Sequence, residues 1–147
     1  MKIAFYKGTR PFPQSLFNQG VRWWTGGIYS HCELVFSDGI SASSSFIDHG
    51  VRFKKIKYDD YWDFLDLKDF DELSARCWFQ IHVYEKYDLL NLLGFIWRRK
   101  DGSSKKWTCS EACASALKIH EPWRYDPNTL YSTLKYCNAR KSYGRST

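Results

Sequence analysis

Lys105-Lys106-Trp107-Thr108-Cys109-Ser110-Glu111-Ala112-Cys113-Ala114-Ser115-Ala116-Leu117 joins a basic, polar lead-in directly to a run of small residues. Thr108 followed three residues later by Glu111 is the T-x-x-E capping box that marks a helix start. Cys109 therefore falls in the first turn, beside free backbone N–H groups and the positive end of the helix dipole. That position favours thiolate over thiol, and thiolate is the nucleophilic form. A cysteine there can equally pack as a small apolar residue in a core helix. A histidine partner would decide between the two, and Cys113, one turn on, is expected to pack against a sheet.

Upstream, Ile3 to Tyr6 reads as a strand, and Ser15 to Trp24 as a helix with Leu16, Phe17, Gly20, Val21 and Trp24 on one face. Gly26-Gly27 ends that helix and leads into a strand within Ile28–Phe36. There His31, Glu33 and Val35 point one way and Cys32, Leu34 and Phe36 the other. Ser37-Asp38-Gly39 is a turn. Ile40 to Phe46 follows as a strand of unusually small, polar side chains, suited to lying close beneath a ligand. Val51 to Lys57 and Tyr61 to Leu67 complete an antiparallel meander. Asp69 to Phe79 then reads as a helix with Phe70, Leu73 and Cys77 in step, and Asp88 opens another through Leu89 to Trp97. A basic loop, Arg98 to Lys106, precedes the Cys109 helix. Pro122 stops that helix, and Pro127 starts the last one. Strands first and helices after make the class α+β, a small antiparallel sheet packed against helices.

The 147 residues suffice for one domain with one core, so 1–147 is expected to be a single unit, with about 138–147 a flexible basic tail. Aromatic residues make up 18%, a load suited to a ring-built core or an apolar groove. A net charge of +6 permits an anionic partner without requiring one. Basic residues interleaved with aromatics at 52–58 and 97–100 fit alternating strand faces and a solvated loop as well as nucleic acid. The five cysteines, odd in number and without paired spacing, fit reduced thiols in a cytoplasm. No signal peptide is expected, because Met1 to Gly8 holds no long apolar run followed by a small-residue cleavage site, and the apolar segment 89–97 is too short to span a bilayer. A metal site is not expected, because the chain has neither C-x-x-C nor H-E-x-x-H. No glycine-rich phosphate loop points to a nucleotide, so no cofactor is expected.

Of the four histidines, His31 stands out, at the start of a strand after a Gly-Gly loop and upstream of Cys109. His49 lies in a polar turn, while His82 and His120 lie near helix ends. Three segments in one order carry a resemblance. They are Tyr29-Ser30-His31-Cys32-Glu33-Leu34, Lys86-Tyr87-Asp88-Leu89-Leu90 and Trp107-Thr108-Cys109-Ser110-Glu111, followed by a proline-led helix from Pro127 to Tyr136. The set resembles the permuted papain-like fold of the NlpC-type cysteine peptidase superfamily, in particular its YiiX-like branch. It is more distantly similar to lecithin:retinol acyltransferase.

The resemblance implies Cys109 as nucleophile and His31 as general base and acid, in a hydrolase or acyltransferase that proceeds through a thioester. The Cys109 backbone N–H would supply part of an oxyanion hole, with the Tyr6 hydroxyl a second donor. The residue that orients His31 is open between Glu33, which has the better chemistry, and Ser43 from the following strand. A direct bond between i and i+2 side chains of a strand is awkward. Trp24, Trp107 and Ser44 are the substrate-contacting candidates. Peptide, amide or acyl compounds are the substrate class, and an amidase or peptidase of bacterial or phage origin is the leading expectation. The alternatives are a lipid acyltransferase or thioesterase on the same fold, and a non-catalytic binding module with a basic surface.

Overall fold

A computed structural model describes residues 1–8, 14–88 and 106–143. Strands β1 (Lys2–Tyr6), β2 (His31–Val35), β3 (Ser41–Ser45), β4 (Gly50–Lys54), β5 (Trp62–Asp66), β6 (Lys86–Tyr87) and β7 (Lys106–Trp107) form one sheet in the order β5-β1-β2-β3-β4-β6-β7. All neighbours are antiparallel except β6 and β7. The helices are α1 (Gln14–Thr25), α2 (Glu72–His82), α3 (Cys109–Ala116) and α4 (Pro127–Tyr143). The class is α+β.

Period-2 alternation sorts the strands into two faces. Ile3, Phe5, Cys32, Leu34, Phe36, Ala42 and Val51 form the main core with Ala75 and Phe79 of α2, Ala112 and Cys113 of α3, and Leu130 and Leu134 of α4. Ala4, Tyr6 and Trp62 make a smaller cluster with Val35, Ile56 and Tyr58. The serine-rich β3 is buried throughout, and each hydroxyl in its centre is spoken for. Ser41 shares a 2.6 Å hydrogen bond with the Tyr58 hydroxyl, Ser43 donates to the Cys32 carbonyl at 2.7 Å, and Ser44 donates to the Trp107 carbonyl at 2.6 Å. Side chains this small let α3 lie close over β2 and β3, and the hydrogen bonds offset the burial of their oxygens.

Four expectations are corrected. The meander stops after β4, because β5 crosses back to pair with β1 over Lys2↔Asp66 to Tyr6↔Trp62. The far edge is filled by β6 and β7, so Tyr87 and the basic lead-in to Cys109 are both strands. Gly50 permits this edge, since a Cβ there would strike the Glu85 carbonyl that Val51 N–H binds at 2.9 Å. The apolar phase of α2 also differs. Asp71 caps that helix by accepting from Ser74 N–H at 3.1 Å, Phe70 lies before it, and Ala75 and Phe79 face the core while Leu73 and Cys77 are exposed.

α3 ends at Ala116, well before Pro122, where Lys118 turns left-handed and the Leu117 and Lys118 N–H groups close on Cys113 and Ser115. Residues 138–143 continue α4, and Asn138 donates to the Asp66 carbonyl at 2.9 Å. The helix expected from Leu89 to Trp97 and the loop from Arg98 onward lie outside the described residues, apart from Lys106 in β7. Among the described residues, no helix is long and apolar enough to cross a membrane.

Candidate active site

The Thr108 side chain accepts from the Glu111 backbone N–H at 3.3 Å, which fixes the first turn of α3 and sets Cys109 at its opening position. The Ser44 bond to the Trp107 carbonyl ties the same turn to β3. On the other side, Asn128 of α4 clamps the strand leading to His31. Its side chain accepts from Tyr29 N–H at 2.8 Å and donates to the Tyr29 carbonyl and the Thr25 hydroxyl, each at 2.9 Å. The β2–β3 ladder covers only Leu34↔Ala42 and Val35↔Ser41, and at the His31 end of β2 the Ser43 hydroxyl bonds the Cys32 carbonyl instead. Cys109 meets β2 there.

The Cys109 sulfur is within hydrogen-bonding reach of the Cys32 thiol, the Cys32 backbone N–H and the His31 ring. These contacts, led by the Cys32 thiol, outweigh burial and hold the Cys109 thiol well below its ordinary range. Burial alone would make His31 less basic, but the Cys109 sulfur and the Glu33 carboxylate raise it to about 9. The consistent state near neutral pH is a thiolate–imidazolium pair. His31 Nε2 lies 2.7 Å from Glu33 Oε1, which leaves Nδ1 for the sulfur.

Glu33 is fully buried, and Arg52 grips it with two nitrogens, Nη1 on Oε2 at 2.7 Å and Nη2 on Oε1 at 2.5 Å. Although burial opposes ionisation, Arg52 and His31 bring Glu33 down to about 2. Arg52 Nε is held by Asp48 at 2.8 Å, and Lys54 binds Asp48 at 2.9 Å. A line of alternating charge thus runs from Cys109 through His31, Glu33, Arg52 and Asp48 to the exposed Lys54. Ser43 makes the reach possible, because it pairs with Arg52 across β3–β4, and a short side chain there lets the guanidinium extend over β3.

The expected residues separate under this geometry. Cys109, His31 and Glu33 come together, and the direct His31–Glu33 bond corrects the expectation that i, i+2 side chains meet awkwardly. Both side chains are long, and Arg52 fixes the carboxylate between them. Ser43 binds the Cys32 carbonyl rather than His31. Ser44 is wholly buried and acts as a strut to β7. Tyr6 sits directly across from His31 in register, with its ring against Trp62 at 4.9 Å and its hydroxyl close to Gly8.

Trp107 is partly buried. Its ring N–H donates to Glu85 at 2.6 Å, and its ring stands edge-on to Trp78 and His82. The Trp24 side chain lies outside the described residues. His49 occupies a left-handed turn, His82 binds the Trp78 carbonyl at 2.7 Å, and the His120 side chain is 95% exposed. Among the described residues, no group of three His, Cys, Asp or Glu side chains is arranged to hold a metal ion.

Arg52 and Cys32 are the site residues that sequence reasoning passed over. The signal for Arg52 was the acid at 33 on a strand flanked by apolar residues, since a buried carboxylate demands a cation. Cys32 gave no signal beyond its place next to His31. The chain matches no family model and no curated protein sequence.

Proposed function

We propose that this protein is a cysteine-dependent acyl-transfer enzyme, foremost an amide hydrolase, working on a permuted papain-like arrangement with Cys109 as nucleophile and His31 as general base and acid. The reading is carried by one observation, the Cys109–His31–Glu33 line with Arg52 behind it. It gives a buried thiol both an activating base and a residue that orients that base.

In the proposed reaction the Cys109 thiolate attacks the carbonyl carbon of an amide, ester or thioester. The C–S bond forms as the carbonyl π pair moves to oxygen. The Cys109 N–H, free of an intrahelical acceptor, faces the charge that develops there. Collapse re-forms the C=O and breaks the bond to the leaving group, which takes its proton from the His31 imidazolium. His31 then removes a proton from water, and the hydroxide carbon–oxygen bond replaces the C–S bond, returning the acid and the Cys109 thiolate beside the His31 imidazolium. Glu33 stays ionised throughout and holds the imidazole by Nε2.

Iodoacetamide labelling of each cysteine as a function of pH, read by peptide mass on wild type and His31→Ala, tests the reading. Cys109 should label fastest, with an apparent pKa far below that of a free thiol. In His31→Ala, a thiol returning toward about 8.5 would hold only about 1% thiolate at pH 6.5, and labelling there should fall accordingly. Turnover of an amide, ester and thioester panel should vanish in Cys109→Ala. A Cys109 that labels like Cys77 and Cys137, or is inert, would sink the proposal.

A further inference from the structure

Three thiols meet beneath the site. Cys32 points from β2 to the α3 side of the sheet, where its thiol reaches both Cys109 and Cys113. Cys113 Sγ lies 4.0 Å from the Cys32 carbonyl. All three are buried and reduced, while Cys77 and Cys137 are exposed. The acyl-transfer steps use neither Cys32 nor Cys113.

We propose that Cys32 is the resolving thiol of a redox switch, forming a reversible disulfide with Cys109 when the site meets a hydroperoxide. The inference rests on Cys109 being the thiolate of the proposed function. The Cys109 sulfur attacks the outer peroxide oxygen. An S–O bond forms, the O–O bond breaks, and the departing alkoxide or hydroxide takes the His31 proton to leave as an alcohol or water. Cys109 is now a sulfenic acid. The Cys32 sulfur then attacks the Cys109 sulfur, an S–S bond replaces the S–O bond, and the hydroxide leaves as water with the Cys32 proton. Two electrons pass from the two thiols to the peroxide.

Geometry selects Cys32 over Cys113. Cys109 and Cys113 stand one turn apart on one helix with their Cβ atoms pointing the same way, a poor arrangement for bridging. Cys32 approaches from the facing strand, buried in the same cluster as the sulfur it would join. Burial and the neighbouring sulfurs keep Cys32 protonated in the resting site. The neutral sulfenic acid removes the charge contributed by Cys109 and so eases the second step. The disulfide silences the nucleophile and shields it from irreversible oxidation.

The test is to treat the full chain with a few equivalents of hydrogen peroxide, quench with catalase, alkylate in denaturant and map peptides without reduction. A Cys32–Cys109 linked peptide should appear as two of the five thiols are lost. Native iodoacetamide labelling of Cys109 should fall by at least about tenfold and return with dithiothreitol. In Cys32→Ser, and in Cys32→Ala should the serine disturb folding, peroxide should drive Cys109 to sulfinic acid that dithiothreitol does not rescue. Cys113→Ser should still form the link. Wild-type Cys109 that stays reduced, overoxidises without a link, or pairs with Cys113 would overturn the switch. Labelling of the untreated protein separates the two failures. A fast, low-pKa Cys109 without a peroxide link refutes only the switch, whereas an unreactive Cys109 refutes the acyl-transfer reading as well.

Discussion

Glu33 and Arg52 are buried charges whose value lies in one another. Removing one partner leaves the other desolvated and uncompensated. Arg52→Met is therefore expected to lower unfolding free energy by about 3–5 kcal/mol, whereas Arg52→Met/Glu33→Met should recover part of that loss in urea melts. Arg52→Lys keeps a cation but gives up the two-pronged grip, so it should spare more stability than Arg52→Met while still lowering Cys109 labelling at pH 6.5. At this scale the sequence was half legible. The chemical types of Cys109 and His31, and the order in which they occur, pointed to each other. The Glu33 contact was undervalued because strand spacing alone ignores how far a glutamate and an imidazole extend. Arg52 was hidden because its partner lies two strands away, and only register brings them into line.

Among the elements, α3 shows how a helix start is used. Thr108→Ala should cost about 1 kcal/mol of stability by removing the cap, measurable in urea melts. Glu111, three residues on, is a poorly placed acid. Burial lifts it to about 7 from an ordinary 4.5, with Asp88 adding to the rise and the Thr108 backbone N–H opposing it, and its Oε2 is buried without a hydrogen bond. Its folded pKa lies above its unfolded one, so the favourable proton is fully held below 4.5 and is lost as pH rises through 7. Glu111→Gln should therefore match wild type at pH 4 and exceed it at pH 8 by on the order of 1–3 kcal/mol in urea melts. The capping signal at Thr108 was local in sequence and was legible. The face of α2 was not, because Phe70 and Leu73 mimic a helical stripe while the cap at Asp71 starts the helix later and turns Ala75 and Phe79 inward. The two-residue strands β6 and β7 carry no periodicity to read at all.

For the molecule as a whole, the order of the sheet lay beyond the sequence, since β5 has the same strand pattern whether it extends the meander or returns to β1. The Cys109–His31 pair also sets a global property, the dependence of stability on pH. Between 6.5 and 9 the folded pair carries one proton, on His31, and the unfolded pair also carries one, on Cys109. The proton counts match, so the pair contributes no slope in that window. Below 6.5 the unfolded histidine takes a second proton, and the pair's contribution should fall by up to about 1.4 kcal/mol per pH unit toward the depressed Cys109 value. The stability difference between wild type and His31→Gln/Cys109→Ser should therefore be level from 6.5 to 9 and shrink below. A slope within the level region would show that the folded pair does not hold one proton there. The line from Cys109 to Lys54 has a further consequence. Its three negative and three positive members, Cys109, Glu33 and Asp48 against His31, Arg52 and Lys54, alternate and cancel, so its field dies away over a short distance and leaves little for mobile ions to screen. Adding salt should thus thin the long-range pull of the molecule's net positive charge on any anion while leaving the reactivity of Cys109 toward a neutral reagent almost untouched.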